Sequence, residues 1–293
     1  MPRLIRLLVS VAILGFIARE FGAGIVDQLR GIEPGWLFAG LLLSVIQILL
    51  SAWRWRFTAA RLALPLAPMT AVREYYLASL VNQILPGGVL GDAQRAWRHG
   101  RATPRRAPAF QAVVIERFSG QLAMIAMAVT VWLIWPPRGN PAFFEPSALE
   151  AGGIAGALLA IGAGAIIASG WRPAWLADWW QALRCCLLTP RVLAVQLITS
   201  ALVAASTIAV YACCVAALAP AAPPAEWLAL IPLVLFAMLI PASIAGWGLR
   251  EGAAALLWPL AGLPVAQGVG AAVVYGGLTL LASTPGLITL ARR

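Results

Sequence analysis

Charge is scarce in this sequence, and lysine is absent from it altogether. Only 11% of the 293 residues are charged, whereas 61% are hydrophobic. A soluble domain usually carries about 25% charged residues. Apolar runs of roughly 20 residues, each long enough to cross a bilayer, recur along the chain. The composition therefore argues against a sizeable soluble domain and predicts a single transmembrane domain over residues 1–293.

Metal ligands and catalytic signatures are also missing. The four cysteines form the vicinal pairs Cys185-Cys186 and Cys213-Cys214, without CxxC spacing, and the single histidine, His99, falls in a basic loop suited to a headgroup contact. These residues cannot build a zinc, haem or iron–sulfur site. No Walker A loop, HExxH, GxSxG or kinase signature occurs. We therefore expect no metal, no cofactor and no enzymatic activity.

The basic residues are all arginines and give a formal net charge of +10. They lie in short segments beside apolar runs, as the positive-inside bias of membrane proteins predicts, so we expect no nucleic-acid partner. The topology that fits them leaves only Arg19, Arg30 and Arg138 outside and places Arg117 and Arg250 near or within the membrane. It predicts a multi-pass protein of the inner (plasma) membrane with both termini in the cytoplasm.

Apolar runs predict six full transmembrane helices. They cover residues 4–21, 36–53, 110–135, 151–170, 192–219 and 266–290. The first begins with Arg3 and Arg6, and no small-x-small cleavage site follows its apolar stretch. We therefore expect a retained helix there rather than a cleaved signal peptide.

Two further apolar segments, 75–97 and 227–263, are interrupted. Their helix breaks are Pro86, Gly87, Gly88 and Gly91 in the first and Pro241, Gly246 and Gly248 in the second. Arginines flank 75–97 on both sides, and so short a segment cannot cross twice, which predicts a re-entrant hairpin. Segment 227–263 fits either a re-entrant hairpin or two short spans.

The two interrupted segments share a pattern. LPGGVLGDAQR and IPASIAGWGLR both contain Pro-x4-Gly-x3-Arg, at an offset of 155 residues, and the order of spans around them also repeats. The fold predicted is an all-α polytopic membrane protein with about six full transmembrane helices and two broken or re-entrant helical hairpins. Its pseudo-repeat halves, 1–138 and 150–293, form an inverted repeat of the kind found in many transporters.

Ionisable and amide side chains near the broken segments or inside spans are the candidate binding residues. They are Asn82, Asp92, Arg95, Glu116, Arg117, Arg250 and Glu251. Charges at membrane depth are costly, so they usually pair, line water or bind a ligand. A guanidinium matches phosphate oxygens, and a half-helix N-terminus adds backbone donors. Arg95 and Arg250 are therefore the expected phosphate contacts. Asp92, Glu116 and Glu251 would either orient them or carry protons.

Structural roles are open alternatives for several of these residues. Arg95 begins a basic run and would also serve as a cytoplasmic anchor, and Glu116-Arg117 would also form a snorkelling, paired couple. Asn82 would also hydrogen-bond a neighbouring helix.

The stretches NQILPGGVLGDAQRAWR, VIERFSG and IPASIAGWGLREGA resemble the flippase-like transmembrane domain of the lysylphosphatidylglycerol synthase family. The resemblance implies movement of a lipid or lipid-linked intermediate between leaflets. The chain ends at Arg293, which leaves no room for that family's soluble aminoacyl-transferase domain, so we expect no lipid aminoacylation. Where the family pattern leads us to expect Gly-Gly-x-Gly, this chain has Ala245-Gly246-Trp247-Gly248. Trp247 would narrow or reshape the cavity there, and this leaves the substrate open.

Three functions fit the sequence to different degrees. The first is a transporter that holds an anionic or phosphate-bearing lipid between the hairpins. The second is a non-transporting accessory or scaffold protein for a cell-envelope lipid or glycan enzyme. The weakest is an intramembrane lipid-modifying enzyme, because acids are present but no nucleophile or metal set is.

Overall fold

The structure is a computed structural model that describes residues 15, 19, 31–85, 88–103, 106–134, 174–219, 224–238 and 245–291. Its described elements are helical, and none of the described residues lies in a strand. The helices are α1 Pro34–Arg61, α2 Pro68–Ile84, α3 Leu90–Arg101, α4 Arg106–Ile134, α5 Ala174–Leu183, α6 Pro190–Leu218, α7 Pro224–Trp227, α8 Leu230–Ala237, α9 Leu249–Leu257, α10 Val265–Ser283 and α11 Gly286–Ala291. A π-helical turn, Arg184–Leu188, precedes α6, and a 3-10 turn, Pro259–Ala261, follows α9.

Four of the predicted spans are confirmed as long apolar helices. They are α1, α4, α6 and the continuous pair α10–α11, which match the predictions 36–53, 110–135, 192–219 and 266–290. At 1.5 Å per residue, the 28 residues of α1 extend for about 42 Å, enough to cross a bilayer. The predicted spans 4–21 and 151–170 lie outside the described residues. The chain is an all-α polytopic membrane protein.

The first interrupted segment is a pair of packed helices. Helix α2 ends at Ile84 and α3 begins at Leu90, so the helix breaks where the sequence predicts it. Pro86 and Gly87 lie outside the described residues, and Gly88 has a positive φ of 62°. Gly91, in the first turn of α3, lies against the backbone of Ala78 in α2, so the two arms pack directly.

The second interrupted segment is also a pair of packed helices. Helices α8 and α9 contain 8 and 9 residues and are therefore only about 12–14 Å long. Neither can cross roughly 30 Å of hydrocarbon, which favours the re-entrant interpretation over two short spans. Gly246 and Gly248 adopt positive φ angles of 80° and 86° at the start of α9. Pro241 lies outside the described residues.

Helices α1 and α6 are joined by side-chain hydrogen bonds. These link Thr58 to Gln196 at 2.8 Å, Arg54 to Ser200 at 3.0 Å and Gln47 to Thr207 at 2.8 Å. Residue numbers rise on α1 as they fall on α6, so the two helices are antiparallel. The α1 positions 47, 54 and 58 are separated by seven and four residues, which places them on one helical face.

Charge is segregated between the two ends of the described helices. Arg61 ends α1, Arg106 begins α4 and Arg191 is in the first turn of α6, so these helix termini form an arginine-rich end. At the opposite end, the Glu33 amide donates to the Ala217 carbonyl at 2.9 Å. No arginine occurs in the last turns of α4 and α6 or the first turn of α1.

The buried apolar side chains form two main clusters. One, built around Trp55 and Tyr75, is drawn from α1, α2, α3 and α4 and the loop between α1 and α2. The other, built around Tyr211 and Trp258, is drawn from α6, α7, α8, α9 and α10. The buried members of each cluster come from one half of the chain. Partly buried side chains of the first half also pack against the second cluster, namely Leu41, Leu43, Met124 and Met127.

Candidate functional site

A network of five charged residues joins α1, α3 and α4, with Glu116 at its centre. The Glu116 Oε1 atom accepts hydrogen bonds from Arg54, one of them from Nε at 3.2 Å. Its Oε2 atom accepts one from Arg95 Nη2 at 2.6 Å. Glu116 and Arg95 are 0% and 1% exposed. A single carboxylate thus holds two buried guanidinium groups from different helices.

Asp92 is the second carboxylate of this network. It accepts a hydrogen bond from Arg95 Nε at 2.9 Å and another from Asn82 Nδ2 at 3.0 Å, and it forms an ion pair with Arg117. The Asn82 Oδ1 atom accepts the backbone N–H of Gly91 at 2.7 Å. Asn82 therefore ties α2 to the first turn of α3 and orients Asp92 at the same time.

The network carries more positive than negative charge. Three guanidinium groups, from Arg54, Arg95 and Arg117, face the carboxylates of Asp92 and Glu116, which leaves an excess of one positive charge. Pairing offsets much of the cost of burying these groups, but the excess charge has no counterpart within the network. Such a site attracts an anion.

Aromatic rings hold the Arg95 guanidinium in place. Its central carbon lies 4.8 Å from the ring centre of Trp55 and 4.5 Å from that of Tyr75. Its Nη1 atom is buried and has no hydrogen-bond partner in the part of the chain that the structure describes. The rings replace part of its hydration by cation–π attraction, so Arg95 is fixed in position rather than free to follow a ligand.

A cavity of about 340 Å³ opens beside the network. Arg54 and Arg117 line it, and Arg117 has a side chain that is 45% exposed. Its other polar lining residues are Ser44, Gln47, Ser51, Tyr75, Ser79, Asn82, Gln83, Gln121, Thr207, Tyr275 and Thr279. Apolar residues, including Met124 and Phe236, complete the lining. The volume lies in the range of small-ligand pockets.

The two arginines expected to contact phosphate do not line this cavity. Arg95 lies behind it in the network, and Arg250 forms a separate buried pair with Glu251, with Nε 3.0 Å from Oε1. Glu251 Oε2 also accepts the backbone N–H of Gly248 at 2.7 Å and so caps α9. Trp247 stacks over the Arg250 guanidinium at 4.9 Å. The cavity-lining guanidinium groups are instead those of Arg54 and Arg117.

The structure thus separates the candidate residues into two groups. Asn82, Asp92, Arg95, Glu116 and Arg117 come together in one network, whereas Arg250 and Glu251 bind each other. His99, expected in a loop, lies in α3, where it is 6% exposed and packs edge-on against Trp55. Burial in α3 argues against the expected headgroup contact.

Sequence reasoning missed Arg54, which it counted as a topological arginine. A signal was present, because polar residues recur at intervals of three and four along the mainly apolar helix α1, at Ser44, Gln47, Ser51, Arg54 and Thr58. This spacing puts five polar side chains on one face. A polar face on a transmembrane helix indicates a partner helix or a cavity, and the structure contains both.

Two glycines make room for buried guanidinium groups. A Cβ on Gly120 of α4 would lie 2.8 Å from Nη2 of Arg54, and one on Gly276 of α10 would overlap Nη2 of Arg250 and lie 2.7 Å from the Trp247 ring. These distances are shorter than van der Waals contact. The small residue at each position therefore lets an arginine from another element approach the helix backbone.

We expect Gly276→Ala to destabilise the protein by about 1–3 kcal/mol, because the added methyl group must displace a fully buried arginine and its stacked ring. The neighbouring Gly277 is a matched control, since a Cβ there meets nothing within 4 Å. Thermal unfolding of both variants in the same detergent measures the difference. Equal melting temperatures for Gly276→Ala and Gly277→Ala would contradict this packing.

Comparison with known proteins gives one match. The family model described as the lysylphosphatidylglycerol synthase TM region matches residues 3–286. No curated protein sequence and no solved structure matches the chain.

Proposed function

The chain belongs to the lysylphosphatidylglycerol synthase transmembrane-region family, and from that premise we propose that it binds a phosphate-bearing lipid headgroup and moves it between the leaflets. The headgroup occupies the cavity beside Arg54 and Arg117, and the acyl chains stay in the surrounding lipid. The observation that carries this proposal is the excess positive charge of the buried network that opens onto the cavity.

The residues that line the cavity can replace the hydrogen bonds and charge stabilisation that a phosphate loses when it leaves water. Arg117 is exposed and, unlike Arg95, has room to exchange Asp92 for a phosphate oxygen. A guanidinium binds phosphate through two parallel hydrogen bonds, which adds orientation to charge attraction. Hydroxyl and amide groups such as those of Ser51, Gln121 and Thr207 accept or donate to the remaining headgroup atoms.

The depth of the network supports a role in crossing the membrane. Arg54 lies about two helical turns before the end of α1, roughly 10 Å along its axis. Glu116 lies about 15 Å from the start of α4. A headgroup held there has left the interface and entered the hydrocarbon layer, which is about 30 Å thick.

The same proposal includes the inverted repeat and its orientation. The antiparallel pairing of α1 with α6, and two clusters whose buried members each come from one half, support equivalent halves of opposite direction. In such proteins, broken helices near the midplane border the transported ligand. The arginine-rich end faces the cytoplasm, as the positive-inside bias requires, and both termini lie there.

The test is a leaflet-translocation assay in proteoliposomes with fluorescent phosphatidylglycerol and a polyprenyl-phosphate analogue. We expect Arg117→Gln to slow translocation about ten-fold or more, because it removes the exposed guanidinium and the excess charge. Its melting temperature is expected to fall less than that of a variant that removes Glu116, because Asp92 keeps its bonds to Arg95 and Asn82. Arg56→Gln is the matched control, because Arg56 is exposed and donates a hydrogen bond to the Leu66 carbonyl at 3.1 Å, outside the charged network.

Two outcomes would contradict the proposal. If Arg117→Gln and Arg56→Gln translocate both lipids as fast as the wild type, Arg117 does not hold the headgroup. If the wild type binds phosphatidylglycerol but moves neither lipid faster than empty vesicles, the chain is an accessory protein that binds lipid without transporting it.

A further inference from the structure

A second cavity lies at the arginine-rich end, between α2 and α11. Its volume is about 350 Å³, and its lining residues are Thr70, Val72, Arg73, Glu74, Tyr76, Arg98, Pro285, Ile288 and Thr289. None of these lines the first cavity. The second cavity is therefore a separate place at which a ligand could bind.

The charges around this cavity also leave an excess of one positive charge. Arg73 and Arg98 face a single carboxylate, Glu74, whose Oε1 atom lies 2.7 Å from Arg98 Nη2. The other terminal nitrogen of Arg98, Nη1, is buried and has no hydrogen-bond partner among the residues that the structure places. Arg73 is exposed. One guanidinium is thus held beside the cavity by Glu74, and a second is available from solvent.

The uncharged lining residues match the rest of an amphiphilic ligand. The hydroxyl groups of Thr70, Tyr76 and Thr289 supply hydrogen bonds near the arginines. Ile288 is 55% exposed and is flanked on α11 by Leu287 at 50% and Leu290 at 54%. This apolar surface lies in the last turns of a membrane-spanning helix, where lipid headgroups and the first methylene groups meet.

We propose that this second cavity is a stationary binding site for the phosphate headgroup of an anionic membrane lipid, distinct from the transport cavity. The guanidinium groups of Arg73 and Arg98 bind the phosphate, and the acyl chains lie along Ile288 and its exposed neighbours. A soluble phosphate would use the arginines but not the apolar surface of α11. The bound lipid bridges the first hairpin and the last span, and so it stabilises their contact.

This contact is close enough for the lipid to affect stability. A Cβ on Gly286, which begins α11, would lie 2.6 Å from the Tyr76 carbonyl oxygen of α2. The two helices are therefore in direct backbone contact beside the cavity. A ligand that binds both helices in the folded state, and not in the unfolded state, raises the melting temperature.

The experiment measures lipid binding to the full chain in detergent by native mass spectrometry and by thermal shift, with phosphatidylglycerol, phosphatidylcholine and inorganic phosphate as probes. All variants carry Arg117→Gln, which removes the exposed guanidinium of the transport cavity. Lipid binding in that cavity then does not contribute to the differences between variants. We expect phosphatidylglycerol to raise the melting temperature and phosphatidylcholine to have little effect. Arg73→Gln is expected to weaken phosphatidylglycerol binding about ten-fold, and Arg56→Gln is the control.

Glu74→Gln is expected to change phosphatidylglycerol affinity in the opposite direction from Arg73→Gln, and this makes the test specific. It removes the only acid that lines the cavity among the described residues. We therefore expect phosphatidylglycerol to bind at least about three-fold more tightly than it binds the protein with Glu74. A variant that merely disturbed the fold would weaken binding instead. Equal binding to all variants, or a loss in Glu74→Gln as large as in Arg73→Gln, would overturn the proposal. Protection by inorganic phosphate equal to that by phosphatidylglycerol would replace the lipid with a soluble anion.

Discussion

Glu116→Ala is expected to destabilise the protein by about 3–5 kcal/mol, because it leaves two buried guanidinium groups without their carboxylate. Arg54 and Arg95 both bind Glu116, and all three side chains are at most 3% exposed. After the substitution, Arg54 keeps its bond to Ser200 and Arg95 keeps Asp92 as side-chain partners among the residues that the structure describes. Thermal or denaturant unfolding in detergent measures the loss. Glu33→Ala, an exposed acid at the opposite end, is the control.

A compensating variant separates the charge effect from loss of packing. A triple variant replaces both arginines and the glutamate with apolar residues and so leaves no buried charge at these positions. It is Arg54→Met, Arg95→Met and Glu116→Leu. Apolar replacement of a complete buried ion cluster is often neutral or stabilising. We therefore expect the triple variant to recover much of the stability that Glu116→Ala loses, while its translocation activity stays low. A Glu116→Ala protein that melts like the wild type would show that the arginines find other partners.

The spans and the hairpin breaks could be predicted because each is encoded locally. An apolar run such as that of α1 or α6 has no other stable environment than lipid. The Pro-Gly-Gly sequence after Leu85 favours the end of α2, since proline lacks a backbone donor and clashes with the preceding turn, and two successive glycines lower helix propensity. Four spans and both broken hairpins followed from these local signals.

The ion-pair network could be predicted only in part, because its bonds join residues that are distant in the sequence. Arg54 and Glu116 are 62 positions apart, and neither hydropathy nor spacing specifies that they meet. The positive-inside bias also gave Arg54 a sufficient explanation at the end of its span, so its place in the polar face of α1 was overlooked. The positive-inside bias gave Arg95 a sufficient explanation too, because Arg95 stands at the start of a basic run.

The shared Pro-x4-Gly-x3-Arg pattern concealed a difference between its two arginines. Arg95 binds Glu116 on α4. The position 155 residues after Glu116 is Ala271, which has no carboxylate with which Arg250 could pair. Arg250 therefore pairs with its neighbour Glu251 and stays electrically balanced. Only the first hairpin belongs to a network with excess positive charge, so a repeated motif need not give two equivalent binding sites.

Gly91→Ala is the substitution expected to damage the first hairpin most, by about 3 kcal/mol or more, at the upper end of overpacking effects. A Cβ there would overlap the Ala78 carbonyl oxygen and lie 2.7 Å from the carbonyl carbon and 2.8 Å from Cα. These are backbone atoms, so no rotamer change relieves the clash, and α2 and α3 must move apart. Separation would also break the Gly91–Asn82 bond that orients Asp92. Unfolding and translocation assays should therefore both show a loss.

A second substitution, Ala78→Gly, tests whether the clash at Gly91→Ala is with the backbone or with the Ala78 side chain. Because the neighbour is backbone rather than side chain, adding Ala78→Gly should not restore Gly91→Ala, whereas it would if the Ala78 methyl group were the obstacle. Gly35→Ala tests the effect of an alanine alone, since a Cβ at Gly35 meets nothing within 4 Å. Recovery of the double variant to the stability of Gly35→Ala would mean that the two arms pack through side chains. The Asn82–Asp92–Arg117 geometry would then not depend on close backbone contact in the hairpin.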